Sequence, residues 1–152
     1  MSVELIYWDS ATFLAYFQQE DGRVDKCRGT LDRAEAGDVC IVTSALTIAE
    51  CLWLRGSVPI PKNRAQVVRL FFRHSYLRVR NVTRKTSELA QDLVWDHGVR
   101  PKDAIHVATA LEARVPVIET FDQLLIAKTG LIGDPSLIIR EPVGAQQGRL
   151  FP

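Results

Sequence analysis

VELIYWDSATFLAYF, residues 3–17, is the stretch on which the fold turns. Val3 to Trp8 is an apolar run of strand length that stops at Asp9-Ser10. Ser10 or Thr12 can cap a helix through about Phe17, and Asp9 could do the same. A strand passing straight into a helix is half of a βαβ unit. The pattern then repeats. Gln18 to Asp25 is polar and predicts a loop. Lys26 to Ala36 has helical spacing, with Cys27, Leu31 and Ala34 on one side and Gly37 as its stop.

Val39 to Thr43 (VCIVT) predicts a second buried strand. Ser44 caps a helix predicted over Ala45–Arg55 and closed by Gly56. Pro59 and Pro61 break the chain, and Pro61 suits the start of the next helix, over Arg64–His74. Leu77 and Val79 alternate with Arg78 and Arg80, and Val82 closes this strand, which has one wet face. Thr83 or Thr86 starts a helix to His97, stopped by Gly98. Pro101 opens another to Ala113, with Ala104, Ile105, Ala108 and Leu111 inward. Pro116–Glu119 and Leu137–Arg140 are short strands flanking a short helix, Gln123–Lys128. Strands alternating with helices predict a parallel sheet covered on both faces, a three-layer α/β domain with right-handed crossovers.

The 152 residues suit one domain, expected over 1–141, with a polar tail over 142–152. At 47% hydrophobic and 24% charged, the composition is that of an ordinary soluble protein. No apolar run approaches the roughly 18 residues of a membrane span, and no basic leader precedes the first strand. Cys27, Cys40 and Cys51 are odd in number and form no CxxC, which predicts buried thiols in a reducing cytoplasm. His74, His97 and His106 are scattered, which argues against zinc.

Charge is unevenly spread. Cys51 to Ser87 holds nine basic residues and no acid; the remainder holds ten basic and all 18 acidic residues, so the two parts carry +9 and −8. Basic residues often only solvate a helix face, but an acid-free run this long favours an anionic partner. Arg69, Arg73, Arg78 and Arg80 are its candidate phosphate contacts.

In a parallel α/β sheet the helix N-termini share an edge with the strand C-termini, and ligands bind there. Four acids map to that edge. Asp9 follows the first strand, and Glu50 lies in the second turn of the helix after the second. Asp103 is in the first turn of the helix opened by Pro101, and Asp122 follows the strand containing Val117 and Ile118. Singly, each has a structural explanation: a cap, a helix-dipole charge or a solvated surface acid. Together they would repel one another unless a cation joined them. Oxygen ligands without His or Cys suit Mg²⁺ or Mn²⁺. His106 lies three residues after Asp103 on the same helix face. It can orient an acid, contact a phosphate, or simply be a hydrogen-bonded core histidine. Trp53, Trp95 and Phe71-Phe72 sit in apolar helical patterns that suit core or dimer packing.

These residues bring a family into view. IYWDSATFLAYF, TSALTIAECLW, RPKDAIHVATAL and VIETFD occur in the order and spacing of a PIN domain, over about Ile6 to Ile139. Within that group the chain resembles the VapC-type toxins of bacterial and archaeal toxin–antitoxin pairs. The resemblance implies a five-stranded parallel sheet and Mg²⁺- or Mn²⁺-dependent cleavage of RNA, with Asp9, Glu50, Asp103 and Asp122 as catalytic and metal-holding residues. It also implies a homodimer and a small cognate antitoxin. Ser10 and Thr120 match the family's supporting hydroxyl positions. Phe121 stands where Asn is common, which places a supporting hydrogen bond in question, and Trp8 is bulky for its position.

Two alternatives compete. A PIN-like module without catalysis would hold only RNA or a protein, but all four acids are present. A phosphoacceptor or phosphatase of another doubly wound fold fits poorly. Receiver domains need an Asp after the third strand, where this chain has Val82-Thr83. Haloacid-dehalogenase-type phosphatases need a second Asp where this chain has Ala11.

Overall fold

The computed structural model describes residues 2–52 and 58–144. In chain order its elements are β1 (Glu4–Trp8), α1 (Ser10–Phe17), α2 (Val24–Glu35), β2 (Val39–Ser44), α3 (Ala45–Glu50), α4 (Ala65–Phe71), β3 (Leu77–Arg80), α5 (Arg84–His97), α6 (Pro101–Glu112), β4 (Val117–Glu119), α7 (Gln123–Ile126) and β5 (Ile138–Arg140). A 3-10 turn, Lys62–Arg64, leads into α4. The strands form one sheet in the order β3-β2-β1-β4-β5, with every neighbouring pair parallel. The chain runs outward from β1 to β3, then returns to place β4 on the other side of β1. Strand order therefore reverses between β1 and β4, and ligands of open parallel sheets bind at the carboxyl ends beside such a reversal.

Alternation along the strands builds two cores. Tyr7, Val42 and Ile118 point to one face and pack with Ala90 and Leu93 of α5 and Ala104, Val107 and Ala108 of α6. Ile6, Trp8 and Ile41 point to the other, against Phe13 of α1, Leu31 of α2 and Val68 of α4. This is the three-layer α/β architecture expected, with five parallel strands.

Local chemistry sets most boundaries. Thr83 and Thr86 form a reciprocal capping box at the start of α5, and Gly98 ends that helix at φ 66°, a left-handed conformation that favours glycine. Pro101 opens α6, as predicted. The cap of α1 is Asp9 and not Ser10 or Thr12: its side chain accepts from the Thr12 amide. Several predicted spans are too long. Ser44 does cap α3, but the helix stops at Glu50, short of the predicted span. Buried Cys51 comes next, with its thiol 3.7 Å from the Ser10 carbonyl, a tertiary contact that no local pattern announces. The predicted end at Arg55 and stop at Gly56, and Trp53 with them, lie outside the described residues. α4 ends at Phe71, three residues before His74, and buries Val68 while Val67 and Leu70 face outward. Trp95 is 71% exposed, so it does not pack in the core.

All three cysteines are buried and free. Burial pushes the Cys27 thiol up to about 12 and that of Cys51 higher still, so neither offers a thiolate nucleophile. Past β5, Pro142 is buried, and Val143 lies against α2 at Gly29, where a Cβ would stand 2.2 Å from the Val143 carbonyl oxygen. No described helix is long and apolar enough to cross a membrane.

Candidate active site

β1 ends at Trp8, which places Asp9 at the carboxyl edge beside the reversal of strand order. Its carboxylate is buried and held by three donors. Oδ1 accepts from the Thr12 amide at 3.1 Å and the Thr12 hydroxyl at 2.7 Å, and Oδ2 accepts from the Thr120 hydroxyl at 2.5 Å. Two donors use both lone pairs of Oδ1, so Oδ2 keeps one free. The Thr120 hydroxyl also accepts from the amide of Asp122 at 3.1 Å. One buried threonine thus ties the acid after β1 to the acid after β4.

Glu50 is held differently. Its Oε1 accepts from the Ser10 hydroxyl at 2.6 Å and lies 3.0 Å from Nε2 of His106. Nδ1 of the same ring lies 2.6 Å from the Tyr7 hydroxyl. Burial, with the charge of Asp9 adding to it, holds the Tyr7 phenol well above its ordinary value, so it keeps its proton. The Glu50 carboxylate can only accept, which assigns a proton to Nε2; in the neutral ring Nδ1 then accepts from the Tyr7 hydroxyl. Burial raises the Glu50 carboxyl, but the hydrogen bonds from His106 and Ser10 outweigh it and hold it below the ordinary carboxylate value. His106 is therefore a buried, hydrogen-bonded histidine with one ring nitrogen on Tyr7 and the other on Glu50.

Asp103 and Asp122 meet around a side chain the sequence did not single out. Arg100 bonds Oδ2 of Asp103 through Nε at 2.9 Å, and its terminal nitrogen contacts both Asp103, at 2.8 Å, and Oδ2 of Asp122. Burial pushes the Asp103 carboxyl up; Arg100 opposes this, while Asp122 and Asp9 add to it. Oδ1 of Asp122 caps α7 through the Leu124 amide at 2.9 Å. The capping roles of Asp9 and Asp122 thus coexist with their place in the cluster.

The two sequence oddities have local explanations. The indole of Trp8 donates to Oε1 of Glu119 at 2.8 Å, and the two residues are register partners on β1 and β4. Thr30 donates to the same oxygen at 2.6 Å, while Oε2 has no hydrogen-bond partner and stands 3.9 Å from Arg140. Trp8 thus braces the strand end that carries Asp9. Phe121 gives no polar contact; it is buried, with the Arg23 guanidinium 4.9 Å from its ring centre.

The basic candidates are more dispersed. Arg78 and Arg80 lie on the sheet's outer strand β3, with Arg80 paired to Ser44 at the carboxyl end. Arg69 is in the last turn of α4, and Arg73 comes after that helix on the way into β3, toward the opposite edge. All four are exposed.

Whether the site fits a divalent cation turns on its donors. Among the described residues, no three Asp, Glu, His or Cys side chains converge as a closed metal cage. Mg²⁺ does not require one: it keeps several waters and takes one or two carboxylates. The facing oxygens of Asp103 and Asp122 already share a cation, that of Arg100, and Asp9 Oδ2, tied to Asp122 through Thr120, keeps a free lone pair. All are hard oxygen donors, and they fit such an ion.

No curated protein sequence matches the chain. Among solved structures it is similar to Mycobacterium tuberculosis VapC20, described as a Sarcin-Ricin loop cleaving toxin, at 21% identity and a TM-score of 0.59 over 80% of this chain and 94% of that one. It is equally similar to a toxin–antitoxin complex from Klebsiella pneumoniae, at 20% identity and a TM-score of 0.59 over 88% and 99% of the two chains. At such identities these likenesses speak for the fold alone. The family model described as the PIN domain matches residues 6–130, from within β1 to beyond α7. With the sheet order and the acids at its reversal already established, that match is decisive: the chain belongs to the PIN domain family.

Proposed function

We propose that the chain is a Mg²⁺- or Mn²⁺-dependent endoribonuclease that hydrolyses RNA phosphodiester bonds, and that it is the toxin of a toxin–antitoxin pair. The observation that carries this is the pairing of Asp103 and Asp122 on one shared cation, with Asp9 tied to Asp122 through Thr120, at the reversal of strand order in a PIN domain. Asp103 and Asp122 would hold the ion, and Asp9 and Glu50 would be the further carboxylates that could join it. Once bound, the ion supplies positive charge for the phosphate and acidifies a water.

The chain's own residues supply the rest. Thr12 and Thr120 fix the direction of Asp9. Ser10 and His106 hold Glu50 charged at neutral pH, able to accept a proton from an attacking water. The exposed arginines of α4 and β3 offer charge to phosphates flanking the cut. The solved toxin–antitoxin complex of the same fold supports an antitoxin partner. The outward-facing Val67, Leu70 and Trp95 offer apolar surface to an antitoxin or to a second copy in a homodimer. Free buried thiols accord with a cytoplasmic location.

Asp9→Asn and Asp103→Asn should each abolish Mn²⁺-dependent RNA cleavage, with circular dichroism and melting showing the fold intact. Cleavage at the wild-type rate by either purified variant would overturn the proposal.

A further inference from the structure

Arg100 occupies the place where the cation of the proposed function would sit. One of its terminal nitrogens touches Oδ2 of both Asp103 and Asp122. Asp122 spends one lone pair of Oδ1 on the α7 cap, which fixes Oδ2 as the oxygen it turns to Arg100. One guanidinium nitrogen fills the contact shared by the two Oδ2 atoms, so a divalent ion shared by them would need the same space.

We infer that Arg100 is a built-in competitor for the metal: it neutralises Asp103 and Asp122 in the metal-free chain and must leave them before a divalent ion binds. The inference rests on the cation assigned under the proposed function, and three features make displacement feasible. The Arg100 side chain is 57% exposed, so its ion pairs are weak and screened. Its backbone is extended (φ −61°, ψ 147°), as the proline after it demands, so the side chain can swing while α6 stays in place. A cavity of about 270 Å³ adjoins it, walled by Val99, Leu124, Leu125 and Lys128, with room for the displaced group.

Isothermal titration of the EDTA-treated, dialysed protein with Mn²⁺ tests this without reference to activity. Arg100→Ala and Arg100→Gln should each bind Mn²⁺ roughly three- to tenfold more tightly than wild type, the range expected for loss of one or two exposed ion pairs. They should also melt lower in EDTA, where Asp103 and Asp122 would face each other unscreened. Lys128→Ala removes a charge at the cavity wall without touching the acids, and its affinity should stay within about twofold of wild type. Weaker binding by both Arg100 variants overturns the inference, since Arg100 would then support the site. So does an equal gain in Lys128→Ala, which reduces the effect to net charge. If wild type and variants all bind no Mn²⁺, the cation site itself is wrong and the inference falls with it. If wild type binds and the Arg100 variants match it, only the inference fails.

Discussion

The carboxyl edge of the sheet and the segment from Cys51 to Ser87 carry opposite charge, and they hold it in opposite ways. At the edge, each acid is held by identifiable donors: Asp9 by Thr12 and Thr120, Glu50 by Ser10 and His106, Asp103 and Asp122 by Arg100. In the basic segment, every described Lys and Arg is exposed, and among the described residues only Arg84 makes an ion pair, with Glu88 one turn along α5. A fixed charge can align a reacting group to the tolerance chemistry needs. A free charge on a long stem cannot, but it tracks a flexible polyanion at little cost in specificity. On that contrast the proposed function assigns the reaction to the edge and affinity to the segment.

The contrast breaks most visibly at His106. Its ring is buried and linked to both Tyr7 and Glu50. His106→Ala should lower single-turnover cleavage by roughly 10- to 100-fold, the usual cost of losing a group that orients a metal-site carboxylate. RNA affinity should barely change. The vacated space and the unpaired Tyr7 hydroxyl should also cost about 2–4 kcal/mol in urea denaturation. His106→Gln returns a donor toward Glu50 and should recover part of the rate. Wild-type cleavage by both variants would show that Glu50 needs no fixing.

A smaller effect belongs to the basic segment. Neutralising Arg69, Arg73, Arg78 and Arg80 together in the Asp9→Asn background should flatten the log–log salt dependence of RNA binding by about one to three units, at about 0.7 per phosphate on a single strand. The loss should be similar across RNA sequences. The fold sharpens this into an order. Arg80 stands at the carboxyl end of β3, whereas Arg73 lies toward the far edge, so Arg80→Ala should weaken binding more than Arg73→Ala. An unchanged slope, with antitoxin binding lost instead, would move the segment from substrate to partner.

Legibility divides along the same line. Elements bounded by their own residues can be read directly: α5 between Thr83 and Gly98, and α6 from Pro101. The end of α3 cannot, because the residue after Glu50 is a buried cysteine held against α1 and not a breaker. The acids are legible because a parallel sheet must bring strand ends and helix starts to one edge. Arg100 is not, although a signal exists: a basic residue before a proline and one turn ahead of an acid. Its second partner, Asp122, lies 22 residues away and needs the fold. Trp8 and Glu119 are beyond reach for the same reason, since pairing them requires knowing that β4 lies beside β1. A buried tryptophan does, however, ask for a partner for its N–H.

The smallest effect tests what the fixed edge costs. Burial leads the causes that raise the Asp103 carboxyl, and Asp122 and Asp9 add to it against Arg100. A carboxyl raised in the folded state favours folding while it is protonated, and this advantage fades as pH rises through its native value. In EDTA at neutral pH, Asp103→Asn should therefore melt slightly higher than wild type, by about 0.5 kcal/mol or roughly 1–2 °C. The gain should be absent below about pH 3.9, the ordinary Asp value, where both proteins are neutral at this position, and full above the raised native value. Excess Mn²⁺ should erase or reverse it, because the ion stabilises the wild-type fold by binding only its folded state. Arg80→Ala, by contrast, should shift the melt by less in either buffer, since an exposed, unpaired cation on an edge strand holds nothing in place. A lower melting point for Asp103→Asn in EDTA would mean that Arg100 more than compensates for burial. The metal-free site would then be a settled ion pair, and the acids would not be under strain.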